Sequence, residues 1–369
     1  MKFTCNQQVL SKSLNIVSRA VTSRTTIPIL KGILLDAKDN NILSMSASDL
    51  DISVNTQMEV NVVEEGSIVV NAKFFTDIIR KFPKGEISIE CDDNKVLLKC
   101  NNSEFNIVGM PTDEFPKIGK IESDAECVVF DKRLLKSMID NTAFAASIDE
   151  ARGIITGILT EIDEESMNMV TIDGYRMAIN RRPAITGEKR KFVISAKTML
   201  EISHIIGEAD GGDDKGKLYL TEKKAIFEFD NIKAEIRQME GEYMDYEKIL
   251  PKSSKISLII SKKYLQESID RASILSRSGK DNLIKIKVKD NLMTITSSSE
   301  EGNVREDIAI KKEGDDITIG FNSQYINDVL KSVDDDDIKM LFNTPVTPCL
   351  VEPVDGDEYK YLILPVRIN

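Results

Sequence analysis

A chain of 369 residues is longer than one hydrophobic core ordinarily supports, so two or three domains are expected. Hydrophobic residues make up 41% of it, yet no stretch approaches the ~20 uninterrupted apolar residues of a membrane span, and the opening MKFTCNQQVL lacks an apolar signal region, so a cytoplasmic protein without membrane contact is expected. The net charge of −12 argues against a generally nucleic-acid-binding surface, and five cysteines (Cys5, Cys91, Cys100, Cys127, Cys349) without CxxC spacing argue against a disulfide framework or a zinc site.

The first predicted helix carries Val9, Leu10, Leu14 and Val17 on one face. Alternation over ILSMSASDLDISV at 42 to 54 then predicts strands. VNAKFFTDIIRKF at 70 to 82 predicts a second helix, with Asn71 as N-cap and Phe75, Ile78, Ile79 and Phe82 on its apolar face. Strands follow in ISIECDDNKVLLKC. The same order returns twice, about 125 residues apart.

In the second copy the helical residues are Leu134, Leu135, Ile139 and Thr142, the strands MNMVTIDGYRMAI at 167 to 179, the second helix ISAKTMLEISHII at 194 to 206 and the closing strands KLYLTEKKAIFEFD. The pair Asp173-Gly174 between alternating runs is a hairpin-turn signal. In the third copy they are Tyr264, Leu265, Ile269 and Ala272, then LMTITSSSEEGNV at 292 to 304, FNSQYINDVLKSV at 321 to 333 and IKMLFNTPVTPCLVEP. Ser195 and Asn322 stand where Asn71 does, Met199, Ile202 and Ile206 form a looser middle face, and Ile326, Val329, Leu330 and Val333 a full third one. The expected fold class is α+β, three tandem repeats each with two helices on antiparallel sheet, bounded at 1–123, 124–253 and 254–369.

Opposite each apolar face runs an outward stripe: Lys73 and Arg80, Lys197 and His204, Gln324 and Lys331, with Asp77, Glu201 and Asp328 at i+4 to the first member and expected to offset it. His204, the only histidine, thus replaces a basic residue on a solvent-facing stripe and is not expected to be catalytic. Charge is segregated along the chain. The first 35 residues hold Lys2, Lys12, Arg19, Arg24 and Lys31 without an acid, and 73 to 84 hold Lys73, Arg80, Lys81 and Lys84 against Asp77, while acids mass at 210 to 214 and 334 to 337. Asp334 to Asp337 lack the glycine and distal glutamate of a calcium loop, so a solvated turn is expected. Basic helices in an acidic chain suit a partner lying against one side, and the absence of base-reading motifs points to phosphate contacts without sequence choice. Similar units joined head to tail close into a ring or grow without limit, and a ring with basic helices inward would hold duplex DNA.

Along its whole length the chain resembles the bacterial DNA polymerase III beta subunits, the sliding clamps. The resemblance lies in MKFTCNQQVL, TIPILKGILL at 26 to 35, TIDGYRMAI at 171 to 179, MDYEKILP at 244 to 251, RASILS at 271 to 276, IGFNSQYINDVL at 319 to 330 and YLILPVRI at 361 to 368, in that order. It implies a non-catalytic processivity factor without cofactor or metal: a three-domain protomer of clamp-fold repeats that pairs head to tail into a ring around double-stranded DNA, helices inside. Its implied partners are the polymerase III alpha subunit and other polymerases, the clamp loader, and mismatch-repair and ligase-type proteins bearing clamp-binding peptides. The implied peptide pocket comprises Ile155, Ile172, Gly174, Tyr175, Arg176, Met177, Met244, Lys248, Ile249 and the tail Leu362, Ile363, Leu364, Pro365, Val366, Arg367 and Ile368. Arg176, Lys248 and Arg367 would be polar handles at its rim, and Pro365, which cannot donate to a ladder, should take the tail out of the last sheet. Tyr175, Met244 and the extra Asn369 depart from the family pattern and bear on peptide preference. The implied homodimer interface sets Phe105 and Ile107 against Ile274 and Leu275. Family position together with basic faces and adjacent loops selects Arg24, Lys73, Arg80, Arg152, Lys197 and Lys280 for DNA contact. Two other classes compete: a nuclease, which would need clustered carboxylates or histidines around metal, and a scaffold for proteins only, which circular DNA would not retain.

Overall fold

The computed structural model describes residues 1–38, 40–117, 119, 126–183, 189–209, 212–277 and 282–368. The expected boundary at 123/124, Lys280, Asn369 and the start of the acidic run at 210 lie outside these residues.

The first repeat contains β1 (Lys2–Asn6), α1 (Gln7–Val17), β2 (Gly32–Lys38), β3 (Ile42–Ser48), β4 (Ile52–Glu59), β5 (Asn61–Glu64), β6 (Gly66–Asn71), α2 (Ala72–Lys81), β7 (Glu86–Asp92), β8 (Lys95–Cys100) and β9 (Ser103–Val108). The second has β10 (Glu126–Asp131), α3 (Lys132–Ala143), β11 (Gly157–Ile162), β12 (Ser166–Ile172), β13 (Arg176–Pro183), β14 (Arg190–Ser195), α4 (Ala196–Glu208), β15 (Lys215–Leu220), β16 (Lys224–Phe229) and β17 (Ile232–Arg237). The third has β18 (Ile256–Ser261), α5 (Lys262–Ser276), β19 (Leu283–Lys289), β20 (Leu292–Ser299), β21 (Gly302–Ala309), β22 (Lys311–Glu313), β23 (Ile317–Asn322), α6 (Ser323–Lys331), β24 (Asp337–Phe342), β25 (Cys349–Pro353) and β26 (Tyr359–Ile363). A strand precedes each first helix, which the apolar periodicity did not separate from it.

Local chemistry accounts for the helices. The Asn71 side chain accepts from the Phe74 amide at 3.2 Å, and that of Asn322 from Gln324 at 2.9 Å, satisfying donors that α2 and α6 would otherwise leave open. Phe75, Ile79 and Phe82 are buried under α2, and Ile326, Val329, Leu330 and Val333 under α6. The middle copy buries Met199, Ile202 and Ile206 and, beyond the expectation, Ile205. Each first-helix quartet is three-quarters right. Leu10, Leu14 and Val17 are fully buried, as are Leu265, Ile269 and Ala272, but Val9 and Tyr264 face outward and Leu134 is half-buried. A side chain one position from the stripe lies about 100° round the helix, which carries it off the packed face.

Every paired strand is antiparallel, and the sheets do not respect the repeats. One eight-stranded sheet runs β10-β15-β16-β17-β4-β3-β2-β6, and one nine-stranded sheet runs β14-β11-β12-β13-β26-β25-β24-β18-β22. The last strand of the second repeat thus pairs with β4 of the first (Ala234 opposite Val54), and the last strand of the third with β13 of the second (Tyr361 opposite Ala178). These ladders explain why the compact units cut through the middle repeat: one comprises Met1–Lys136 with Lys197–Gln238, the other Ser137–Ala196 with Met239–Asn369. The remaining sheets, β5-β1-β7-β8-β9 and β21-β20-β19-β23, end in β9 and β21. These are the strands equivalent to β17 and β4, here without a partner in the described chain.

Candidate functional sites

The C-terminal tail is pinned in two places. Within β26, Leu362 stands opposite Met177 and Ile363 opposite Arg176, and the Leu364 amide still donates to the Tyr175 carbonyl at 2.9 Å. Pro365 then has no donor to offer, and the chain crosses to a second strand, where the Val366 amide donates to the Gly320 carbonyl at 2.9 Å. A Cβ on Gly320 would stand 2.7 Å from the Val366 carbonyl oxygen, so glycine here is what lets the tail approach β23.

This pinning brings the tail to an apolar cluster in which Leu159, Val170, Ile172, Met177, Ile179, Val193, Tyr243, Tyr246, Leu350 and Leu362 are buried and Ile154, Ile155 and Leu364 partly so. Of the sequence-selected pocket residues, Ile172, Met177 and Leu362 are buried in this cluster, while Ile155, Leu364, Val366 and Ile368 are half-buried. Strand alternation sends Ile363 to the opposite face, where it joins the core of the third repeat. Tyr175 (59% exposed), Met244 and Ile249 remain accessible, and Lys248 is exposed in an ion pair with Asp245 at 2.8 Å. Gly174 has φ +89°, in the turn the sequence announced, and the Asp173 carboxylate accepts from the Tyr175 and Arg176 amides at 2.8 and 2.9 Å. Tyr325 of α6, half-buried and stacked on Tyr175, was not picked out by the sequence, where it is one apolar residue on a helix flank.

Arg176 is not placed as a rim handle. Its largely buried guanidinium pairs with Asp173 at 3.0 Å and Asp328 at 2.5 Å, donates to the Phe144 carbonyl at 2.8 Å, and lies 4.7 Å from the centre of the Tyr325 ring, on which Tyr175 stacks at 6.1 Å. It ties α6 to the β12–β13 hairpin. Arg176→Met should leave two acids and a carbonyl unmatched and lower stability by about 3 kcal/mol, read from the denaturant midpoint.

The basic candidates are solvent-facing. Lys73 and Arg80 project from α2 and Lys197 from the first turn of α4, Arg24 lies in an exposed loop, and none of the four makes an ion pair among the described residues. Arg152 is exposed but donates to the Asp173 carbonyl. Of the acids expected to offset the stripe, Glu201 lies 3.6 Å from the stripe residue His204 and equally 3.6 Å from Arg19, whereas Asp328 is taken by Arg176. Arg19 also holds Glu208 at 2.5 Å, joining α4 to the residues just after α1. At the acidic turn, the exposed Asp334 to Asp337 gather no metal-type cluster among the described residues, and Asp335 accepts from the Tyr359 hydroxyl at 2.6 Å. No described helix is long and apolar enough to cross a membrane.

The interface candidates lie on the β9 edge and on α5, which packs against β20 and β21. Both faces of β9 are open, with Phe105 44% and Val108 78% exposed and Ile107 half-buried, and Phe105 stacks edge-on against Phe82 at 5.5 Å. On α5, Ile274 is 68% exposed and Leu275 half-buried.

Residues 1–119 match the family described as DNA polymerase III beta subunit, N-terminal domain, residues 130–245 its central domain and residues 247–367 its C-terminal domain. The chain is 31% identical to a beta sliding clamp of Staphylococcus epidermidis, over 100% of this chain and 99% of that one. It is similar to the crystal structure of the Bacillus subtilis DNA polymerase sliding clamp (32% identity, TM-score 0.94) and to that of a putative DNA polymerase III beta subunit from Eubacterium rectale (34%, TM-score 0.93), each covered in full on both sides.

Proposed function

The chain belongs to the DNA polymerase III beta subunit family, the DNA sliding clamps, and from that premise we propose that two copies close head to tail into a six-domain ring around duplex DNA, with domain limits at 1–123, 124–253 and 254–369. One observation carries this reading. Twice within the chain, an edge strand of one repeat completes the sheet of its neighbour, β17 on β4 and β26 on β13, and β9 and β21 are the equivalent edges left over. Pairing β9 of one protomer with β21 of the next repeats the same joint a third time, and an unprotected edge with an apolar surround is otherwise a liability. Phe105 and Ile107 would meet Ile274 and Leu275 beside that ladder.

Within the ring, Arg24, Lys73, Arg80, Arg152 and Lys197 would contact phosphates, as would Lys280. Such contacts hold DNA without reading it, which a sliding protein needs. The groove floored by Ile172, Met177 and Leu362 and edged by Ile155, Gly174, Tyr175, Met244, Lys248, Ile249, Leu364, Val366, Arg367 and Ile368 would receive apolar peptides of polymerases, the clamp loader and repair proteins. We assign no catalytic step to the chain and place its work in the cytoplasm.

The direct test is topological: after loading, the protein should stay on circular DNA and run off the same DNA once it is cut. Equal retention on both forms would overturn the ring. Arg24→Ala with Arg80→Ala should weaken direct DNA contact by roughly the counterion release of two phosphates, lowering the slope of log Kobs against log salt by about 1.8, with dimer mass unchanged.

A further inference from the structure

Gln324, Asn327, Asp328 and Lys331 stand at i, i+3, i+4 and i+7 of α6, along one helical face. Together with Ser273 in the last turn of α5 and Arg277 just beyond it, they line a cavity of about 270 Å³ whose described lining residues are all polar. The cavity has a sign. Arg277 and Lys331 are exposed and make no ion pair among the described residues. The acid in its wall, Asp328, is already met by Arg176 at 2.5 Å, so two cations stand without an opposing charge.

The cavity also contains a buried group without a partner. Asn327 is 5% exposed, and its Oδ1 makes no hydrogen bond. A buried amide oxygen left open is unfavourable, and native interiors rarely retain one without cause. Turning the amide about its last bond exchanges that acceptor for the two donors of Nδ2. A small anion with several acceptor oxygens, seated between the two cations, would then take Nδ2–H while Arg277 and Lys331 neutralise its charge.

We propose that this cavity is a seat for a phosphate-type oxyanion. Two sources share that chemistry, a free phosphate and a backbone phosphate of duplex DNA. The second source rests on the reading above, because Gln324 and Lys331 hold the third-copy positions of the stripe that carries Lys73 and Arg80 on α2 and Lys197 on α4.

Two arms separate the sources, each on the full-length protein at wild-type dimer mass. In the first, thermal unfolding is compared in sodium phosphate and sodium chloride at matched ionic strength. A phosphate-specific rise in Tm is expected for wild type. Asn327→Asp, nearly isosteric but repelling an anion, and Arg277→Ala with Lys331→Ala, both at exposed positions, should weaken phosphate binding roughly tenfold or more. In the second arm, binding to a short duplex is titrated with salt, and the double alanine variant should lose about 1.8 from the slope, 0.9 for each lost contact. Loss of the phosphate effect with an unchanged slope supports a seat for free phosphate. Loss of both assigns it to the duplex. A wild type that phosphate does not stabilise and whose slope the double variant does not change overturns the seat. If Arg24→Ala with Arg80→Ala also leaves the slope unchanged, the DNA reading has failed independently of the seat.

Discussion

Replacing Ile274 and Leu275 together by aspartate should give a folded monomer, with light scattering returning the 41.3 kDa chain mass instead of about twice that. Ile274 is exposed and Leu275 half-buried on the single chain, so charging them costs the isolated fold little. In the proposed joint they face Phe105 and Ile107 beside the β9 edge, where two unpaired carboxylates would be desolvated at several kcal/mol each. Each 1.4 kcal/mol is tenfold in the dissociation constant, so dimerisation should weaken by at least a thousandfold. Circular dichroism at wild-type intensity would show that the fold persists. An unchanged dimer mass would overturn the head-to-tail assignment, because no other free sheet edge among the described residues repeats the internal joints.

Removing residues 364 to 369 should abolish binding of a polymerase-derived peptide while leaving dimer mass untouched. The truncation keeps β26, whose five residues pair with β13, so the buried floor of Met177 and Leu362 stays in place. It removes Leu364, Val366 and Ile368, three half-buried aliphatic side chains, along with the amides that pin the tail to Tyr175 and Gly320. A peptide burying two or three apolar side chains gains roughly 1.5 to 3 kcal/mol from each before ordering costs, which places its affinity near micromolar. Losing one wall would take away most of that gain, a fall of a hundredfold or more in fluorescence anisotropy. Full affinity in a truncated but dimeric protein would refute the groove, and the site would have to be sought elsewhere.

What the sequence determined by itself is what short-range chemistry decides. Asn71 and Asn322 cap helices two or three residues away, the apolar faces of α2 and α6 repeat within two turns, and Asp173-Gly174 shapes a turn with its own side chain and a positive φ. The threefold recurrence of these local patterns exposed the repeats, and the ordered motifs exposed the family. Pro365 marked the place where the tail changes strands because a missing amide is a property of one residue. The tertiary structure alone decided the long-range choices. Asp328 had plausible partners one helical turn away, but Arg176 reaches it across 152 residues of chain, and Glu201, already 3.6 Å from His204 one turn on, is reached as well by Arg19 across 182 residues. Arg176 became a buried tie for the same reason: two carboxylates and a carbonyl converge on it from separate elements, and once desolvated such a guanidinium must satisfy all of them. Ile363 packs into the core of the third repeat because its neighbour Leu362 occupies the face toward Ile172 and Met177, and strand alternation allows only one of them there. The same limit hid the joints between repeats, since backbone ladders such as β17 on β4 are made by amides and carbonyls that every residue carries, and only the folded chain selects which edges meet.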